Sequence, residues 1–190
     1  MGCSPLPGSP GRLDLLGASK PMTRAELQQL VIDYANGYGI DPQIALAQIQ
    51  RESGFNPNAV GRDGERGLAQ ILPSTWPQAS QGAIPWDQAF DPDYNLTAWG
   101  NYMQWLLDRY GWDYRKALQA YNGGPGNVDR GTVSQAARNY AAAILANAGK
   151  QNVNYQSDSG SLNDDSSILG LPFIAVLAVG GVAAWLLLRD

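Results

Sequence analysis

Apolar residues recur along this chain at helical intervals, and glycine- and proline-rich breaks separate the runs. The first run opens at Thr23, where Thr-Arg-Ala-Glu reads as a capping box with Glu26 reaching back, and Leu27, Leu30, Val31 and Tyr34 supply one apolar stripe. The second is marked by Asp41 as N-cap, Pro42 in the first turn and Gly54 as the stop. These signals predict a helix with Ala45, Ile49 and Glu52 on one face, at spacings of four and three. Asn56, Pro57, Asn58, Gly61, Asp63 and Gly64 then crowd into a stretch of turns with room for a short hairpin. A short helix is expected around 73–79, with Trp76 filling the core or walling a cleft. From Asp91 onward Leu96, Trp99, Met103, Leu106 and Tyr110 repeat at three and four until Gly111, a stripe that reads as core. Tyr114, Ala117, Leu118 and Tyr121 mark the next helix, and 134–148 the last. The pattern as a whole predicts a mainly α domain over residues 23–150 with at most a small β element.

Composition narrows the chemistry. The chain has 190 residues, 44% of them hydrophobic and 16% charged, which suits one sizeable globular domain with appendages. With 13 basic and 17 acidic residues it lacks the positive stripe of a nucleic-acid binder. There is no histidine and a single cysteine, Cys3, so Cys/His zinc sites, His-assisted nucleophiles and internal disulfides are excluded. Carboxylates, amides and hydroxyls are left to do the work, and no metal or cofactor is called for. Glu52 stands out among them, because a carboxyl group on an inward-facing apolar stripe has its charged form disfavoured and keeps a proton near neutral pH. A protonated carboxyl is what a departing glycosidic oxygen requires.

Four segments in order, RESGFNP, GLAQILPSTW, AYNGGPG and ARNYAAAIL, closely resemble the soluble lytic transglycosylase family across roughly residues 24–148. These are lysozyme-like enzymes, related to goose-type lysozymes, that cut peptidoglycan. The resemblance implies an α+β lysozyme-like fold, with a small β or turn element beside the cleft. It also implies that one glutamate, here Glu52, acts twice: it protonates the oxygen between N-acetylmuramic acid and N-acetylglucosamine, then takes the proton from the C6 hydroxyl of the same muramic residue. A 1,6-anhydro ring closes without water, helped by the high effective concentration of a hydroxyl on the same sugar. Carried over by motif, Ser53 would orient substrate polar groups, and Gln70 would donate hydrogen bonds to sugar or acetamido groups. Gly67 would permit close backbone approach, Tyr121 would lie near the acid and Asn122 would contact the glycan. Tyr140, following Arg138 and Asn139, would wall the cleft. Ala69 stands where the family's signature often has methionine, which bears on subsite shape rather than chemistry. Two alternatives stay open: a true hydrolase in which Asp63 or Glu65 positions water, and an inactive wall-binding anchor that kept the fold.

The ends of the chain have different compositions. Residues 1–22, rich in Pro, Gly and Ser and without an apolar signal region, read as a flexible arm, and Cys3 within them as an ordinary thiol. Residues 151–167 read as a polar linker. Residues 168–188 carry no charge and one proline, and as a helix would reach about 32 Å, enough to span a lipid bilayer. Trp185 suits the membrane interface, and Gly180 with Ala184 form a small-residue pair that could support a homo-oligomer or contacts with virion proteins. Residues 189–190 are a short tail. Asp158, Asp164 and Asp165 before the span and Arg189 after it orient the enzyme domain towards the wall. A folded domain ahead of a C-terminal span without a signal peptide is awkward to export. A bacteriophage particle with an internal membrane, which meets peptidoglycan as its genome enters, would resolve this; a tail-anchored enzyme of the bacterial inner membrane, or one secreted with a wall-spanning machine, is the alternative.

Overall fold

The computed structural model describes residues 20–158, with side chains as far as Gly149. Helices dominate that stretch: α1 (Arg24–Gly37), α2 (Pro42–Glu52), α3 (Trp76–Ala79), α4 (Pro92–Arg109), α5 (Tyr114–Gly123), α6 (Pro125–Asp129) and α7 (Gln135–Asp158). The expected caps form. The Thr23 side chain accepts from the Glu26 amide while Glu26 accepts from the Thr23 amide at 2.8 Å, and Asp41 accepts from the Gln43 amide at 2.8 Å. Two short elements carry too little periodicity to be seen in the sequence: α6 and a 3₁₀ turn, Trp86–Phe90, ahead of α4. The expected small β element is reduced, among the described residues, to two isolated bridges, Val60 with Arg66 and Arg66 with Ile71. Gly64, Gly67 and Gln70 all take positive φ (88°, 78° and 48°), so the chain turns before two strands can run side by side.

The α4 stripe is the centre of the core. Leu96, Trp99, Met103 and Leu106 are fully buried, and α1, α3 and α5 all pack against this helix. Tyr110, the last of the predicted stripe, is half-buried instead, and its hydroxyl donates to the Pro125 carbonyl at the start of α6 (3.1 Å). Helix α2 lies between α1 and α7, and α5 packs on α7. The C-terminal end of α2 is fastened from α1: Arg24 donates to the Gly54 carbonyl at 2.8 Å, also bonds Gln50, and stands 4.8 Å over the Phe55 ring.

The loop between α2 and α3 is irregular yet fixed. Asn95, fully buried at the start of α4, accepts from the Ala69 amide (2.8 Å) and donates to the carbonyls of Ala89 (2.8 Å) and Arg66 (3.1 Å). Gly67 sits against this brace, where a Cβ would lie 2.3 Å from the Ala89 oxygen and 2.4 Å from Asn95 Nδ2, at a φ that L side chains rarely adopt.

Helix α7 runs to Asp158, past Lys150, so the segment from 151 that reads as linker starts as helix. No proline or glycine interrupts 151–158, and extending an existing helix avoids the cost of nucleation. The arm up to residue 19, the linker from 159, the apolar span 168–188 and the tail 189–190 lie outside the described residues. Among the described residues no helix is long and apolar enough to cross a membrane.

Replacing Asn95 with Ala strands the Ala69 amide and the Ala89 carbonyl and leaves the Arg66 carbonyl with the Ile71 amide alone. Urea unfolding should show a loss of about 3 kcal/mol; a loss below about 1 kcal/mol would mean that the loop is held by other contacts.

Candidate active site

Glu52 is the last residue of α2, one turn above the fully buried Ile49 and two above Ala45. Its carboxyl group is mostly enclosed. Burial raises its pKa from 4.5 to about 7, opposed by the Tyr140 hydroxyl and by the Arg51 charge, and assisted by the negative charge of Glu65. The Tyr140 hydroxyl, from α7, donates to Glu52 Oε1. Burial, then the charge of Glu52, holds the Tyr140 phenol well above its usual range, so it stays a neutral donor. Tyr121, on α5, is likewise raised by burial and then by Glu52. The site is thus a carboxyl able to hold or release a proton near neutrality, beside phenols that do neither.

The other residues singled out in the sequence fall around this centre in unequal ways. The Tyr121 hydroxyl donates to the Ala69 carbonyl at 2.8 Å, and its ring lies 5.6 Å from that of Tyr102. Gln70 departs from expectation: its amide nitrogen donates to the carbonyls of Gly67 (2.9 Å) and Ala59 (3.1 Å), so its N–H groups hold the loop and its oxygen is what remains for a ligand. Gly67 is buried, and the close approach it permits within the fold is that of Ala89 and Asn95. The Ser53 hydroxyl turns back to the Ile49 carbonyl (3.4 Å). Asn122 is exposed on α5. Tyr140 contributes a hydrogen bond to the acid in addition to any surface it offers. Its neighbours point elsewhere: Arg138 donates to the Val133 carbonyl and Asn139 accepts from Gln135. In the loop, Glu65 is half-buried and accepts the Asp63 amide at 2.9 Å, while Asp63 is exposed.

Three residues at or behind the site were not singled out for it. Gln48 is fully buried one turn before Glu52 and donates to the Tyr140 hydroxyl (3.3 Å); Trp99 donates from its indole nitrogen to Gln48 Oε1 (3.1 Å). Asn95 braces the loop. A glutamine at an inward position of an otherwise apolar helix face was the available signal for Gln48, whereas Asn95 sits among apolar neighbours that conceal its role. Among the described residues no group of three or more acidic or sulfur side chains gathers as a metal would need.

A glutamate at a helix end, bonded by a tyrosine from a distant helix and holding its proton up to about pH 7, is a group that can both give and take a proton near neutrality. The chain belongs to the transglycosylase SLT domain family, whose profile matches residues 29–156. It is 32% identical over 110 residues to the transglycosylase of Enterobacteria phage PRD1, covering 58% of this chain and 38% of that protein. To the membrane-bound lytic murein transglycosylase C of Photorhabdus laumondii it is 36% identical over 106 residues, covering 49% of this chain and 30% of the other. The solved structure of the 70 kDa soluble lytic transglycosylase of Escherichia coli shares the fold, with a TM-score of 0.60 at 24% identity over 71% of this chain and 25% of that one. The chain therefore spans less than half the length of each of these relatives.

The raised pKa of Glu52 has a measurable consequence for stability. Between pH 4.5 and about 7 the folded chain keeps a proton that the unfolded chain has lost, so this group's contribution to stability falls as pH rises through that window and is level above it. Glu52→Gln removes the titration. The variant should match the unmodified protein near pH 4 and exceed it above pH 7 by on the order of 2 kcal/mol, allowing for solvent screening. Thermal melts of both proteins across pH 4–8 read the gap, and a constant difference would show that Glu52 titrates as an ordinary carboxylate.

Proposed function

We propose that this protein is a peptidoglycan lytic transglycosylase that cleaves the β-1,4 bond between N-acetylmuramic acid and N-acetylglucosamine. The observation that carries the reading is the enclosed Glu52 carboxyl with its pKa near 7 and the Tyr140 hydroxyl on Oε1. Family membership and the names of the relatives support it. At that pKa both protonation states are populated at working pH, as a group that must first give and then take a proton requires.

In the first step Glu52 gives its proton to the glycosidic oxygen, the bond from that oxygen to C1 of the muramic residue breaks, and the glucosaminyl end leaves as an alcohol. The carboxylate left behind is stabilised by the Tyr140 hydroxyl and the Arg51 charge. In the second step it takes the proton of the C6 hydroxyl, and O6 closes on C1. The acid is restored and no water is consumed. Rigid walls help by holding the sugar where its own hydroxyl can attack: the Ala69 peptide is fixed by Asn95 on one side and Tyr121 on the other. Around this centre Ser53, Gln70 through its amide oxygen, Asn122 and Tyr140 are read as the glycan-contacting groups, and Gly67 as a shaper of the loop.

The hydrolytic alternative would need a second carboxylate to activate water. Glu65 is close enough to raise the Glu52 pKa, but one of its oxygens accepts the Asp63 amide, which favours a role in the turn. We read the apolar span 168–188 as an anchor that holds the domain at a membrane facing the wall, and the setting as local wall opening during phage genome entry. The 32% identity to a phage transglycosylase and the likeness to a membrane-bound enzyme support this reading.

Digestion of purified sacculi followed by mass spectrometry should yield muropeptides one water lighter than hydrolysed ones. Hydrolysed products alone would turn the assignment to the lysozyme-type alternative. Glu52→Gln should lower sacculus lysis by at least about a hundredfold while leaving glycan binding intact. For the anchor, the full chain should sediment with membranes or membrane-containing virions and a chain ending at 167 should not; equal partitioning of the two would remove the anchor from the proposal.

A further inference from the structure

Behind Glu52 runs a chain of hydrogen bonds whose direction is set by its far end. Trp99 Nε1 donates to Gln48 Oε1 (3.1 Å), Gln48 Nε2 donates to the Tyr140 hydroxyl (3.3 Å), and the Tyr140 hydroxyl donates to Glu52 Oε1. Trp99 and Gln48 are both fully buried, and the three contacts draw on α4, α2 and α7. An indole nitrogen can only donate. It therefore fixes the Gln48 side chain with its oxygen towards Trp99 and its nitrogen towards Tyr140. A hydroxyl that already accepts from that nitrogen has one hydrogen left, and Glu52 is where it goes. With the amide reversed, Gln48 would present an oxygen to Tyr140 and compete with Glu52 for that hydrogen.

We propose that Trp99 and Gln48 are positioning residues that hold the Tyr140 hydroxyl as a fixed donor to Glu52 Oε1, and so confine the catalytic proton to Oε2. This rests on Glu52 being the acid of the proposed reaction. Because Oε1 accepts in both protonation states, the proton leaves from and returns to one oxygen, and no carboxyl rotation is needed between the two steps. Linked donors polarise one another, so removing Gln48 weakens the bond that Tyr140 makes. That bond lowers the proton affinity of Glu52, and the other groups that act on it are Arg51 on its own helix and Glu65 in the loop; the Tyr121 phenol on α5 is itself raised by the Glu52 charge. Neither Gln48 nor Trp99 hydrogen-bonds to any of these, and Arg51 stands 5.3 Å over the Tyr140 ring.

The test is a carbon-13 NMR titration of the Glu52 carboxyl in the full chain, with the pH profile of sacculus lysis beside it. Gln48→Met keeps side-chain length and removes both polar atoms; Trp99→Phe removes the donor that orients the amide. In each, the carboxyl midpoint should rise by about half a pH unit or more. The alkaline limb of kcat should move up with it, and KM should stay put. In a Tyr140→Phe background the same two changes should add nothing to the midpoint. In the unmodified protein, the Trp99 indole proton and one Gln48 amide proton should exchange slowly with solvent, a measurement that does not depend on any variant folding.

Fast exchange of either proton would overturn the proposal. So would a lowered melting temperature with an unmoved midpoint, which is the mark of packing alone, or a shift that persists without the Tyr140 hydroxyl. The titration needs no turnover, so a protein that released no anhydro products would defeat the proposed function while leaving the relay to be judged by its own result.

Discussion

The hydrogen bond from Tyr140 to Glu52 joins chain segments 88 positions apart, and the site depends on it. A carboxyl group taken out of water loses hydration worth several kcal/mol and must recover part of it from the protein. One phenolic donor recovers enough to make the position tolerable, and too little to return the group to ordinary acidity, which leaves its pKa at about 7. A dry pocket with no donor would drive the proton on too tightly, and a wetter or more cationic one would strip it off. The arrangement of α1, α2 and α7 reads as support for this balance. Arg24 fastens the end of α2 from one side, and α7 closes over the carboxyl from the other.

The loop after α2 shows how irregular backbone can serve as a firm wall. Buried backbone groups need partners, and without a strand ladder they find them in side chains. The Ala69 amide meets Asn95 of α4 and its carbonyl meets Tyr121 of α5. Gln70 directs its own amide nitrogen to two further carbonyls of the same loop. Motif residues that one would assign to the ligand are thus partly engaged in holding the shape against which a ligand rests.

Much of the fold could be read in the sequence because helix signals are local. Thr23 with Glu26, Asp41 with Gln43, and the α4 stripe each involve residues within a few positions of one another, where spacing alone is informative. Glu52 was legible for the same reason, lying on the face of Ala45 and Ile49. The pairings across the fold were not legible. Gln48 meets Tyr140 over 92 positions and Trp99 over 51, and no periodicity foretells such a meeting. Gly67 was recognised as a point of close approach, but what approaches is Ala89 and Asn95, known only once α4 is in place. Helix α7 continues through 151–158 although the composition there is that of a linker, because nothing in that stretch stops a helix already under way.

The position of Tyr140 late in the chain bears on how the protein is made. As synthesis proceeds from the N-terminus, Glu52 emerges long before α7, and until that helix docks, water reaches the carboxyl and its proton affinity stays near that of any glutamate. A nascent or prematurely ended chain carries the acid residue without the surroundings that arm it. In the order of synthesis the carboxyl is thus made 88 positions ahead of the hydroxyl that bonds it.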